Sequence, residues 1–263
     1  RINEELKLLQ DGTMSLATVE NKAATIDDKM KMLGFSNDTI DRLVKDPEFE
    51  NKIPYFIQKF TKTLVHGKSK DFDESQVILV CGPERSGKTV LSKKLEKFLS
   101  TNLDGLPTTV IADPLAGDLA SIFKSGVDSN ITSLFRKRPG ANINSGRLVI
   151  DYEGSMEVLS SVLLKLGELE QRPNVSVVYA LEVGKSYTAV KNLLEKVDIP
   201  NLYIALTKMD LLEVSVSELS AISDLKNKIL FFSGLKAVAD GLDFAKVSVM
   251  ENFLTNLAKQ EGW

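Results

Sequence analysis

The stretch Gly82-Pro-Glu-Arg-Ser-Gly87-Lys88-Thr89 constrains the fold more than any other. It matches G-x-x-x-x-G-K-[ST], with the apolar run QVILVC leading in and the helical pattern TVLSKKLEKFL leading out. Glycines in such a loop let the backbone wrap an anion, and the amide N–H groups with the following helix N-terminus face it. The reading is a phosphate loop in which Gly82, Glu84, Arg85, Ser86, Gly87, Lys88 and Thr89 surround a polyphosphate. Lys88 would reach the terminal phosphates and the Thr89 hydroxyl would ligate Mg2+. The competing reading is a glycine turn with no ligand. Glu84 adds a negative charge where a polyphosphate must enter; its neighbour Arg85 either folds over the phosphates to offset it or, as the default expectation, pairs with Glu84 on the surface.

Around the loop, short β-rich runs alternate with helical stretches: QVILVCG, TTVIADP, RLVIDYEG, VSVVYALE, NLYIALTKMD and ILFFSG. Six such runs imply an α/β fold with a mostly parallel sheet covered on both faces. Residues 1 to about 65 read instead as helical. Thr25 followed by Asp28, Ser36 after Phe35, and Pro54 in IPYFIQKFTKTLV mark three helix starts. Residues 66–75, HGKSKDFDES, are polar and read as a linker. The chain opens on Arg1, so a longer parent protein is expected, and no signal-peptide pattern precedes the helices.

With 43% hydrophobic and 26% charged residues, the 263-residue chain has ample apolar surface for a core. A net charge of −3 gives no electrostatic reason to expect a nucleic-acid partner. The single Cys excludes an internal disulfide, and the single His, His66, excludes a multi-histidine metal site. His66 beside Gly67 reads as a solvated loop residue.

Three further signals carry chemistry. LTKMD ends an apolar run, and a carboxylate there, Asp210, can accept both N1–H and the exocyclic amine of guanine. Thr207 and Lys208 complete that element, the Lys208 stem lying along the base. Asp151 closes RLVID and is a candidate ligand to Mg2+ through water, with Gly154 three residues on as a γ-phosphate contact. The alternative for Asp151 is a helix cap. Asp113, ending TTVIAD, is a candidate catalytic residue orienting water or metal, with a plain turn before Pro114 as its alternative.

In this order the motifs resemble the GTPases of the signal recognition particle and its receptor, and most closely their flagellar-placement branch, the FlhF proteins. LGFSNDTIDRLV is similar to the helical region of that branch, GKTVLSKKL to its G-K-T-T-T-x-x-K-L, LTKMD to its T-K-x-D, and VADGLDFAKVSVMENFL to its closing loop and last helix. The resemblance implies a helical N domain over 1–65, the linker, and a P-loop G domain over 76–263 whose final helix, 246–260, packs on the N domain. It implies GTP or GDP with Mg2+ as ligands, a homodimer or a related GTPase as partner, and a cytoplasmic site with peripheral contact at the inner face of the cell membrane.

The departures from the family pattern are specific. Pro114, Leu115 and Ala116 replace all but the Asp of an Asp-Thr-aromatic-Arg element, and Tyr152, Glu153 and Ser155 replace neighbours in D-T-A-G-R. Anchoring groups remain while groups that stabilise a transition state are thinned. The expectation is a guanine-nucleotide-dependent organiser of flagellar or membrane-protein placement, its intrinsic hydrolysis weakened or absent. Two alternatives stand beside it. One is a scaffold that has lost its nucleotide; the other is an ATP-using P-loop kinase with Arg136 and Arg138 on a lid.

Overall fold

The computed structural model describes residues 25–46, 52–68, 70–102, 108–112, 147–167, 174–199, 202–236 and 241–263. Asp113, Arg136 and Arg138 lie outside the described residues, as do residues 1–24 of the expected N domain.

Among the described residues three helices come first: α1 (Ile26–Met32), α2 (Asn37–Val44) and α3 (Ile53–Leu64). Their starts follow from side chains that satisfy otherwise orphaned amides. Thr25 and Asp28 form a reciprocal capping box on α1, Ser36 accepts from the Thr39 amide on α2, and Pro54 sits in the first turn of α3. Phe35, between the first two, packs edge-on to both Phe56 and Phe60 of α3, with ring centroids 5.0 and 4.9 Å apart. These rings are buried, and each contributes about 2–3 kcal/mol by leaving water.

The rest builds on a seven-stranded sheet: β1 (Val77–Cys81), β2 (Thr108–Ala112), β3 (Arg147–Asp151), β4 (Val175–Glu182), β5 (Leu202–Thr207), β6 (Lys228–Ser233) and β7 (Leu242–Phe244). Their order is β2-β3-β1-β4-β5-β6-β7. The first six are parallel, and β7 pairs antiparallel with β6. The six expected strands are all present; β7 is an addition, three residues long and without a periodic signal of its own. Alternate residues of β1 feed two separate cores. Val77, Leu79 and Cys81 face the cluster that includes α1–α3, while Ile78 and Val80 face α5 (Lys88–Asn102). A strand buried on both faces must be apolar throughout, which is why VILVC reads as one run.

Four more helices cover the sheet: α6 (Met156–Gly167), α7 (Tyr187–Leu194), α8 (Val216–Asp224) and α9 (Val247–Gln260). The last packs along α3. Met250, Leu254 and Ala258 of α9 are buried at four-residue spacing, and the terminal Trp263 ring lies 5.7 Å from Lys29 Nζ.

Segment 66–75 is more structured than its polarity implies. Lys70–Asp73 forms the one-turn helix α4, and its Phe72 is wholly buried against Tyr203, Phe231 and Phe244. A lone aromatic in a charged run carries no periodicity, so its anchoring role is set by the cavity it fills. His66 also departs from its expected solvated setting. Its amide donates to the Ile229 carbonyl at 2.9 Å, and its half-buried ring packs edge-on to Tyr203 at 5.0 Å.

One carboxylate joins the helices to the sheet layer. Asp224, its side chain 7% exposed, accepts from Ser36 Oγ and Thr39 Oγ1 at 2.6 Å each and from Tyr187 OH at 3.0 Å, with Arg42 Nη2 at 3.8 Å. Arg42 itself donates to the carbonyl and hydroxyl of Ser223. Asp224→Ala would strand three hydroxyls at one junction and remove the charge partner of Arg42. It is expected to lower stability by about 2–4 kcal/mol, read from the chemical-denaturation midpoint; a change within error would show that α2 docks by apolar packing alone.

Candidate functional site

The strands β1, β3, β4, β5 and β6 all end on one edge of the sheet, and the sequence-derived candidates sit at those ends. Chain order reverses around β1, which lies between β3 and β4. In open α/β sheets such a reversal leaves a crevice at the carboxyl ends of the strands, where ligands bind.

The loop 82–87 leaves β1 and turns directly into α5. Gly82 has φ +137°, and a Cβ there would stand 2.6 Å from the Ala180 carbonyl oxygen of β4. Only glycine fits that approach. Gly87 follows at φ +91°, against Thr207 of β5. Lys88 folds back across the loop and donates from Nζ to the Gly82 carbonyl at 2.9 Å. Pro83 O lies 3.4 Å from the same nitrogen. Thr89 is exposed at the helix start. Glu84 and Arg85 are both exposed, and no ion pair joins them among the described residues, contrary to the pairing expected of adjacent charges. Arg85 adopts φ +62°, in the left-handed region.

Ser86 is 1% exposed, its hydroxyl buried without a hydrogen-bond partner. Its carbonyl accepts from Thr207 Oγ1 at 2.6 Å. This bond ties the loop after β1 to the TKMD element after β5, 121 residues later. Lys208 next to it is at φ +59°. Together Arg85 and Lys208 supply two of the three non-glycine residues in the left-handed region among those described, and such strain persists where surroundings over-determine the backbone.

Asp151 stands beside Val80 in register at the end of β3. It is 2% exposed, and its Oδ1 has no hydrogen-bond partner. Tyr152 follows, 1% exposed, with its amide on the Val80 carbonyl and its hydroxyl donating to Ser155 O at 2.9 Å. That ring lies under Gly154, where a Cβ would come within 2.3 Å of the phenol oxygen.

Asp210 is exposed at the far side of the crevice. Gly234, just past β6, lies so close that a Cβ there would be 2.4 Å from Asp210 Oδ1 and 2.7 Å from the Met209 amide nitrogen. Met209 N–H in turn donates to Ser233 O. Gly234 and Glu182 are the site residues that motif reading does not single out. The glycine closing ILFFSG was a visible signal; Glu182 has none, being one acidic residue at the end of an apolar strand.

Glu182 accepts from Lys208 Nζ at 2.5 Å and from Lys185 Nζ at 3.2 Å. The Lys208 hydrogen bond, opposed by partial burial and aided by Lys185, holds its carboxyl below the ordinary glutamate range. On the other face of this loop Glu218, fully buried, accepts from the Gly184 and Lys185 amides; burial pushes its carboxyl up. Burial likewise pushes the Cys81 thiol up to about 12, which leaves it an inert apolar filler.

Because the folded pKa of Glu182 lies below its unfolded value of about 4.3, its stabilisation is complete above that value and lost as pH falls through the folded one. Lys208→Met should therefore be less stable than the parent at neutral pH, with the gap constant down to the unfolded glutamate value of about 4.3 and closing only as pH falls below it, followed by thermal melts. A gap independent of pH would remove the ion pair as its source.

Neither a protein-family model nor a curated protein sequence matches the chain. Solved structures do. A crystal structure of FlhF complexed with GTP and Mg2+ superposes with a TM-score of 0.57 at 11% identity, over 89% of this chain and 97% of that one. Chloroplast FtsY from Physcomitrella patens gives 0.58 at 17% identity, over 87% of each chain. The signal recognition particle receptor FtsY from Elizabethkingia anophelis, in complex with GDP, gives 0.53 at 15% identity, over 87% of this chain and 84% of that one. At these identities the likeness is one of fold, and it spans nearly the whole chain. The protein therefore shares the α/β fold of these FlhF and FtsY structures.

Proposed function

We propose that the chain is a guanine-nucleotide-binding protein of the FlhF kind, acting as a nucleotide-dependent organiser of flagellar or membrane-protein placement with intrinsic hydrolysis weakened or absent. The observation that carries this reading is the hydrogen bond from Thr207 to Ser86, which brings a phosphate-type loop and a guanine-type element into one crevice.

The residues present fit a nucleotide with Mg2+. Gly82 and Gly87 leave room for backbone amides to face an anion, and the buried Ser86 hydroxyl and Asp151 Oδ1 lack partners within the protein. Groups buried without partners are rare and call for a ligand, ion or water. Lys88 would exchange its loop carbonyls for phosphate oxygens, Thr89 and Asp151 would hold the metal, and Asp210 would accept from the guanine edge. Two protein ligands suit Mg2+, which is usually held by one or two side chains together with phosphates. Among the described residues no group of three or more His, Cys, Asp or Glu could hold a metal, which fits a cation brought in with its nucleotide. Bound Mg2+ would offset polyphosphate charge.

The surroundings of Gly154 support the slow-hydrolysis part of the proposal. The Tyr152 ring fills the space beneath it and the Tyr152 hydroxyl is committed to Ser155, so the loop after β3 is braced rather than poised to move. A catalytic role for Asp113 belongs to the same proposal, as do a homodimer or related GTPase as partner and peripheral membrane contact. No helix among the described residues is long and apolar enough to cross a membrane.

Titration calorimetry should give GTP and GDP dissociation constants of about 1 μM or below, abolished by Lys88→Ala and by Asp210→Ala, with turnover far slower than that of a fully equipped GTPase. Mass spectrometry of co-purified nucleotide separates the outcomes. Recovered ATP would replace this reading with the kinase, and absence of any nucleotide together with no thermal shift would leave the scaffold; ligand at 100 times its dissociation constant should stabilise by about 2.7 kcal/mol.

A further inference from the structure

We infer that Glu182 is a positioning residue for base recognition, fixing the Lys208 side chain beside Asp210 before a nucleotide arrives. This rests on the guanine reading of the TKMD element and adds to it a residue from a different strand. Glu182 is the last residue of β4 and stands directly beside Thr207 in the parallel register of β5. Its two carboxylate oxygens are divided: Oε1 takes Lys208 Nζ at 2.5 Å and Oε2 takes Lys185 Nζ at 3.2 Å.

The backbone of Lys208 is held from both sides. Thr207 is bonded to the phosphate-type loop, the Met209 amide to Ser233 O, and the Lys208 carbonyl accepts from the amides of Leu211 and Leu212. With φ at +59°, Lys208 launches its side chain in a direction that an ordinary extended or helical residue would not. A lysine stem so launched still has four rotatable bonds, and ordering it on ligand binding costs affinity. Glu182 removes that freedom by capturing the far end. The pair is also shielded, with Lys208 31% and Glu182 23% exposed, so solvent screens it less than a surface pair. Val183 N–H donates to Thr207 O, which continues the β4–β5 ladder past Glu182 and keeps the acceptor at a fixed height.

A positioning residue of this kind acts on the base and not on the phosphates. The test compares GTP with inorganic tripolyphosphate by calorimetry. Glu182→Gln, which keeps shape but removes charge, and Glu182→Ala should each weaken GTP binding about five- to tenfold while tripolyphosphate affinity stays within about twofold. In a Lys208→Met background Glu182→Gln should cost nothing further, because the two changes break one interaction. A single cooperative melting transition, lowered no more than in Lys208→Met, confirms folding for each variant. GTP affinity unchanged in Glu182→Gln, or equal losses for both ligands, would overturn the inference while leaving guanine binding intact. A parent protein that binds neither GTP nor GDP would overturn the guanine reading, and the role of Glu182 with it.

Discussion

The hydrogen bond between Thr207 Oγ1 and the Ser86 carbonyl is the constraint on which the site depends. Two turns meet there, each with a residue in the left-handed region, Arg85 on one side and Lys208 on the other. Neither turn has a regular ladder to hold it. The threonine, itself 2% exposed at the end of a buried strand, lends the order of the sheet to both. The same strand end passes its position on: Lys208 to Glu182 of β4, and Met209 to Ser233 of β6. The crevice is thus a consequence of three adjacent parallel strands ending at one level.

Glycines set how closely these turns approach. Gly82 lies against the Ala180 carbonyl and Gly234 against the Asp210 carboxylate, at separations that admit no Cβ. Tyr152 does the reverse beneath Gly154, filling space that the resemblance assigns to small residues. Anchoring and bracing are both strongly built. The functional proposal of binding with little turnover reflects that balance.

The helical part is joined by chemistry of a different sort. Phe35, Phe56 and Phe60 form its apolar centre, and Asp224 collects donors from Ser36, Thr39, Arg42 and Tyr187. The loop between Glu182 and Tyr187 runs from the end of β4 to this junction, held midway by Glu218. Its Val183, Gly184 and Lys185 amides donate to Thr207 and Glu218, so the loop is tied to both β5 and α8.

Much of this was legible in the chain. Caps at Thr25 and Ser36, the apolar runs of six strands, and the glycine and lysine spacing of the phosphate-type loop are local, because they concern amides and side chains a few residues apart. What folding alone decided are pairings over long separations: Thr207 with Ser86, Glu182 with Lys208, Gly234 with Asp210, and Phe72 with a cavity that only the assembled sheet creates. Period and spacing describe one element at a time. Contacts between elements depend on strand order and register, and these are settled by how two hydrophobic faces are buried together.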